Sequence, residues 1–221
     1  MRHFKILFCL SLSLFSLNLF AEKSAVKIKP LPGTIALTFD DGPHPVYTPQ
    51  ILEILKKNNI KATFFMVGSY AEKYPEIVKM VLKDGHAIDS HSYSHPNLTK
   101  LSASRLNKEI NKPQDIIFKI TGIKPVCLRY PFGASNERVR STIRKNGITP
   151  VSMGFNSFDY ERPGTKKIVS WVLKNSYSGQ VILLHDGFNK REQTVEALPE
   201  IIAGVKKKGL GFSPICMNNP N

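Results

Sequence analysis

The sequence predicts an α/β protein, a distorted and smaller (β/α) barrel of about seven parallel strands with outer helices. Three observations lead there. Strand-like and helix-like segments alternate strictly from Thr34 onward, which implies parallel strands joined by crossover helices. The alternation occupies roughly 185 residues, too few for a full eight-fold barrel of about 250. The conspicuous polar residues fall just after strands, on the face where parallel barrels gather their functional groups.

The elements follow in order. Thr34-Ile35-Ala36-Leu37-Thr38-Phe39 is β-branched and apolar, the pattern of a buried strand. Thr48 is placed to cap a helix with Pro49 in its first turn and Ile51, Leu52 and Leu55 on its apolar face. Ala62 to Val67 reads as a second strand, and a helix over Pro75 to Lys83 is stopped by Gly85. His86 to Asp89 is a short strand, and Leu106 with Ile110 marks a helix that Pro113 should kink or end. Val126 to Arg129 is a strand, followed by a helix over Asn136 to Lys145 that ends at Gly147. Ile148 to Ser152 is the next strand, and Ile168, Val169, Val172 and Leu173 mark the next helix. Val181 to Leu184, a helix over Val195 to Lys208 ending at Gly209, and a strand over Phe212 to Ile215 close the series.

The chain has 221 residues, 42% of them hydrophobic, which is an ordinary globular balance and excludes a disordered chain. Residues 1–21 have the layout of a secretory signal peptide: Arg2 and Lys5, then an apolar stretch from Ile6 to Leu17, then Ala21. Cleavage after Ala21 predicts a secreted or periplasmic protein with no stable membrane insertion, and an uncleaved anchor is the alternative. Residues 22–32 read as a basic lead, 33–216 as one domain, and 217–221 as a C-terminal tail. With 31 Lys and Arg against 17 Asp and Glu, the net charge is +14. Such a surface favours anionic partners such as cell-wall glycans. No nucleic-acid motif accompanies the charge, so a nucleic-acid partner is not expected. Cys127 and Cys216 remain once Cys9 leaves with the signal. Export permits a bridge between them, but the apolar run around Cys127 favours two unpaired thiols.

Five separate segments converge on one rim of the predicted barrel. Asp40-Asp41-Gly42-Pro43 follows the first strand, and His91 and His95 follow the third. Arg129-Tyr130-Pro131-Phe132-Gly133 ends the fourth, Asp159-Tyr160 follows the fifth, and His185-Asp186-Gly187 caps the sixth. Each has a plainer reading alone. The aspartates could open a turn, His185 could be a core residue, and Arg129 could make a simple salt bridge. Together, two imidazoles four residues apart and a carboxylate from another strand end make an open metal site, typically of zinc. Such an ion activates water and polarises a carbonyl, which is hydrolytic chemistry. His44 and His86 have no matching partners and read as structural.

These motifs resemble those of the polysaccharide deacetylases, carbohydrate esterase family four. Thr38-Phe39-Asp40-Asp41-Gly42-Pro43 is similar to the first family motif, His91-Ser92-Tyr93-Ser94-His95 to the second, Arg129-Tyr130-Pro131-Phe132-Gly133 to the third and Leu183-Leu184-His185 to the fifth. The fourth departs. Where the family commonly has Asp-Ser-x-Asp-Trp, this chain has Asn156-Ser157-Phe158-Asp159-Tyr160, so the shape of the sugar pocket is in question.

The resemblance implies a role for each matching residue. Asp41, His91 and His95 bind a divalent metal, Zn²⁺ with Co²⁺ as a substitute. Asp40 is the general base, held by Arg129. His185 is the general acid, tuned by Asp159. Phe132 lends its backbone N–H to the oxyanion, and Tyr160, Leu183 and Pro131 meet the substrate. The implied reaction removes N-acetyl groups from an envelope or extracellular amino-sugar polysaccharide, such as peptidoglycan N-acetylglucosamine or a chitin-like oligomer. An O-acetyl esterase on a polymer such as acetylxylan and a non-catalytic glycan-binding relative are the alternatives.

Overall fold

The computed structural model describes residue 26 and residues 28–217. The expected signal peptide, 1–21, lies outside the described residues, as do positions 218–221 of the expected tail. Among the described residues no helix is long and apolar enough to cross a membrane.

Among the described residues eight short strands run in chain order: β1 (Thr34–Asp40), β2 (Thr63–Met66), β3 (Ala87–Ser90), β4 (Cys127–Arg129), β5 (Thr149–Val151), β6 (Phe155–Asn156), β7 (Val181–His185) and β8 (Gly211–Phe212). All their pairings are parallel. The sheet order is β5-β4-β3-β2-β1-β7-β6, with β8 added beside the start of β1. No pairing among the described residues joins β5 to β6, so the barrel is curled and left open at that seam. The distorted barrel read from the sequence is therefore correct, with one strand more than expected. The extra strand, β6, is two residues long after Gly154 and carries no apolar alternation to betray it.

Seven α-helices among the described residues pack outside: α1 (Tyr47–Lys57), α2 (Gly68–Lys73), α3 (Pro75–Lys83), α4 (Ala103–Thr121), α5 (Glu137–Lys145), α6 (Thr165–Lys174) and α7 (Glu192–Lys207). The main core lies between β1, β2 and β7 and helices α1, α3, α6 and α7, and includes Leu37, Phe39, Leu55, Phe64, Leu184 and Ile201. Phe39 and Phe64 stack at 5.1 Å across the β1–β2 pair.

Several boundaries differ from the sequence reading. Thr48 lies inside α1 rather than capping it; its hydroxyl accepts from the His44 N–H and donates to Asp186. Pro113 neither ends nor divides α4, which runs to Thr121 and is capped by Gly122. Its ring packs where a Cβ on Gly68 would sit, so α2 and α4 approach closely there. Helix α7 starts a turn before Val195, and β8 ends at Phe212 rather than Ile215.

The cysteines also correct the sequence reading. Cys127 and Cys216 form a disulfide with Cα atoms 5.9 Å apart. Thr63 exchanges two hydrogen bonds with Ile215, which anchors the end of the chain beneath the start of β4. That placement depends on residues distant in sequence, so the apolar run around Cys127 could not reveal it.

Candidate active site

The carboxyl end of β1 delivers Asp40 and Asp41 to the rim. Parallel register sets Asp40 opposite His185 on β7 and opposite Phe65 on β2. Ser90 at the end of β3 pairs with Met66, and the chain then turns to present His91 and His95. Asp40, Asp41, His91, His95, Phe132 and His185 all line one cavity of about 440 Å³.

Asp41, His91 and His95 offer one ligand atom each, all within 4.8 Å of one another. Asp41 Oδ1 lies 3.6 Å from His91 Nε2 and 3.3 Å from His95 Nε2. This oxygen is buried and has no hydrogen-bond partner, an unmet need that a cation would satisfy. His91 Nδ1 lies 2.7 Å from the Arg129 carbonyl. Donating its proton there leaves Nε2 as a lone-pair donor toward the cluster, the arrangement typical of a ligating histidine. Burial lowers the pKa of His91, and burial followed by the nearby His91 lowers that of His95 to about 4. Both rings are thus neutral, the form that binds metals. The donor set fits a divalent ion.

Asp40 is held differently. Its Oδ1 accepts from Arg129 Nη1 at 2.7 Å, while Oδ2 lies 3.7 Å from His91 Nε2. Arg129 is 0% exposed. It also donates to Thr38 Oγ1 and the Ser152 carbonyl, and its guanidinium lies 4.1 Å from the Phe65 ring centroid. So rigid a cation fixes one carboxylate oxygen and leaves the other to the cavity.

His185 Nδ1 meets Asp159 Oδ1 at 2.7 Å. Asp159 is itself fully engaged, accepting from the Ser157 and Thr194 hydroxyls and from the His185 N–H. Burial disfavours a charged ring, but the Asp159 charge and hydrogen bond, with Asp41 and Asp40 beyond, outweigh it and raise the His185 pKa. Burial would also raise Asp159, yet His185 and the hydrogen bonds leave it lowered. Both shifts favour an imidazolium–carboxylate couple, and the His185 ring faces the cavity.

The rim backbone is strained. Asp41, Ser92, His95, Phe132 and Phe188 are non-glycine residues with φ between 58° and 76°. Such conformations cost of order 1–3 kcal/mol each and persist where surrounding structure imposes them. Phe132 is 67% exposed, and its ring meets His95 edge-on at 4.6 Å.

Of the expected substrate contacts, Tyr160 and Leu183 line the cavity, whereas Pro131 is buried at the base of its turn and is not on the wall. Arg129 and Asp159 stand behind the wall, in contact with Asp40 and His185. His44 and His86 are structural: the Nδ1 of each accepts backbone N–H groups. Three contributors have no role in the sequence reading. Arg191 is buried with Nη2 3.7 Å from Asp41 Oδ2, anchored by Nε donating to the Gly187 carbonyl. Asp186 is buried against Gly42, where any Cβ would collide with its carboxylate, and burial raises its pKa to about 7. Glu109 on α4 accepts from the Tyr93 and Ser94 N–H groups and the Ser94 hydroxyl, bracing the loop between the two histidines. Glu109 left a trace in the sequence, since it shares the apolar face of α4 with Leu106, Ile110 and Pro113. Arg191 left none.

A polysaccharide deacetylase family profile matches residues 27–151. Over 180 residues the chain is 40% identical to a peptidoglycan-N-acetylglucosamine deacetylase of Bacillus cereus, covering 80% of this chain and 84% of that protein. Over 203 residues it is 34% identical to a chitooligosaccharide deacetylase of Azorhizobium caulinodans, covering 86% of this chain and 97% of that one. Among solved structures, a peptidoglycan N-acetylglucosamine deacetylase in complex with 4-naphthalen-1-yl-N-oxidanyl-benzamide superposes with a TM-score of 0.81 at 36% identity, covering 85% of this chain and 89% of that one. More than half the sequence matches the family, the relatives match over nearly their whole length, and the fold agrees: the chain belongs to the polysaccharide deacetylase family and is an enzyme of that class.

Proposed function

We propose that this enzyme is a divalent-metal-dependent N-deacetylase of an amino-sugar polysaccharide, with peptidoglycan N-acetylglucosamine as its substrate. One observation carries the reading. A carboxylate held by a buried arginine and an imidazole held by a buried carboxylate face one cavity from adjacent strands in register, beside an Asp–His–His cluster that fits a metal. The relatives named above support the substrate class.

Asp41, His91 and His95 would hold the ion, with zinc the fitting choice for two imidazoles and a carboxylate. When bound, such an ion polarises the acetyl carbonyl and makes water acidic. The protein's own groups do the rest. Asp40 Oδ2 takes the proton of the attacking water while Arg129 fixes the other oxygen. The Phe132 N–H donates to the carbonyl oxygen as charge collects there. His185 carries a proton on Nε2 and delivers it to the departing amine, with Asp159 keeping the ring oriented and charged. Base and acid are separate groups with opposite surroundings, so each can hold its required form at one pH. Tyr160, edge-on to His185 at 5.3 Å, and Leu183 shape the space for the acetyl methyl.

The leader-like first 21 residues support action outside the cytoplasm, and an intact mass beginning at Glu22 would check it. Acetate release from peptidoglycan, chitin oligomers, poly-N-acetylglucosamine and acetylxylan tests the reaction. Release from peptidoglycan that chelation abolishes and Zn²⁺ or Co²⁺ restores is expected. Full turnover after thorough metal removal, or release from acetylxylan alone, would overturn the proposal.

A further inference from the structure

A second cleft of about 480 Å³ lies across the Asn156–Glu161 stretch from the catalytic cavity. The two share this segment. Asn156 and Tyr160 line the catalytic cavity, and Ser157, Phe158 and Glu161 line the outer cleft together with Lys167 and Trp171 of α6. Three aromatic residues join them on the surface: Tyr160, Phe158 and Trp171 are 41%, 39% and 40% exposed. Ring centroids step outward from His185 to Tyr160 at 5.3 Å, from Tyr160 to Phe158 at 6.3 Å, and from Phe158 to Trp171 at 6.3 Å.

Trp171 packs on Phe155 at 5.7 Å, a core-supporting contact, but the outward Phe158 is not explained by core packing. Phe158 has φ 58° and ψ 21°, a left-handed conformation that is a marked outlier for a bulky residue. In that conformation the ring stays partly exposed. Asn156 maintains the arrangement from both ends: its side-chain oxygen accepts from the Phe158 N–H at 2.9 Å, and its carbonyl accepts from Trp171 Nε1 at 3.1 Å. With its indole N–H so engaged, Trp171 is fixed in place while much of the residue stays accessible. Contiguous exposed aromatic surface of this kind marks an interaction site. A pyranose suits it, since the axial C–H groups of a sugar pack on an aromatic face while its hydroxyls reach charged groups such as Lys167 and Glu161.

We propose that the Phe158–Trp171 cleft is an outlying subsite that holds a sugar of the same N-acetylated chain whose reacting sugar occupies the catalytic cavity. The proposal rests on the polysaccharide reading above and deepens it. It makes the enzyme selective for long chains, because a monosaccharide or disaccharide in the cavity would not reach Trp171. It also gives Asn156, where the family commonly has Asp, a role in binding rather than in catalysis.

Trp171 is the chain's single tryptophan, so its emission reports on this cleft alone. The zinc-loaded Asp40→Asn protein would be titrated with N-acetylglucosamine hexamer and dimer. The hexamer should give a saturable change in tryptophan emission and the dimer none. In the otherwise intact enzyme, Trp171→Ala should raise KM for the hexamer roughly tenfold and change KM for the dimer far less, while Trp171→Phe keeps most hexamer affinity. Emission indifferent to the hexamer, or a Trp171→Ala defect equal on both substrates, would overturn the subsite. Hexamer binding with no acetate release by the intact enzyme would leave the subsite standing and refute the reaction instead.

Discussion

Glu109→Ala offers a demanding test of how the histidine loop is held. The carboxylate accepts from the Tyr93 N–H at 3.0 Å, the Ser94 N–H at 2.8 Å and the Ser94 hydroxyl at 2.7 Å, from a side chain buried on α4. Hydrogen bonds to a charged group contribute about 1.5–3 kcal/mol each. Ser94 is exposed and Tyr93 half-buried, so water can replace part of the loss, and a total of about 2–4 kcal/mol is expected. For a domain of this size that corresponds to a melting temperature lower by roughly 4–16 °C. The loop carries His91 and His95 at its ends, so the affinity for Co²⁺, followed by its visible absorption, should fall about 10- to 100-fold. Glu109→Gln keeps an acceptor oxygen and should recover much of both losses. Unchanged metal affinity in Glu109→Ala, with or without a change in melting temperature, would refute the reasoning.

Other outcomes follow from the same geometry. Cys127→Ser, which opens a bridge spanning 89 positions, should lower stability by roughly 2–5 kcal/mol in urea unfolding. Its folded fraction should keep near-normal kcat, because the bridge joins the start of β4 and not the rim. His185 has a raised pKa, so the required imidazolium persists above the ordinary value of 6.5 and activity is lost as pH rises through the higher value. Asp159→Asn removes the largest contribution that raises it and should move that alkaline limb of the kcat profile to lower pH; an unmoved limb would exclude His185 as the acid. His185→Ala should lower turnover by roughly 10²- to 10⁴-fold with metal content intact, and loss of the metal would make His185 a ligand.

The site was legible where its chemistry is contiguous in sequence. Asp40-Asp41-Gly42-Pro43 and His185-Asp186-Gly187 sit at strand ends, so strand–helix alternation alone placed them on one rim. What escaped depends on tertiary contact. Arg191 reaches Asp41 from the segment leading into α7, and nothing around it in sequence says so. The Cys127–Cys216 bridge needs the chain end to be carried under β4 by Thr63. Pro113 reads in the sequence as a kink or end of α4, but the helix continues past it and the close approach to Gly68 gives the ring a packing role there. Thr48 has the chemistry of a cap, yet its hydroxyl is drawn to the buried Asp186 carboxylate instead.

The central claim is that two adjacent aspartates have different duties, Asp41 holding the ion and Asp40 activating water. Purified Asp40→Asn and Asp41→Ala proteins, shown to be folded by thermal melts, should be assayed together for bound zinc and for acetate release. Asparagine keeps an acceptor for the buried Arg129 and leaves all three ligands in place, so Asp40→Asn should keep its zinc while turnover collapses. Asp41→Ala removes a ligand, so zinc and turnover should fall together. Zinc lost from Asp40→Asn and kept by Asp41→Ala would reverse the assignment, and activity retained by both would contradict the account of this rim as the active site.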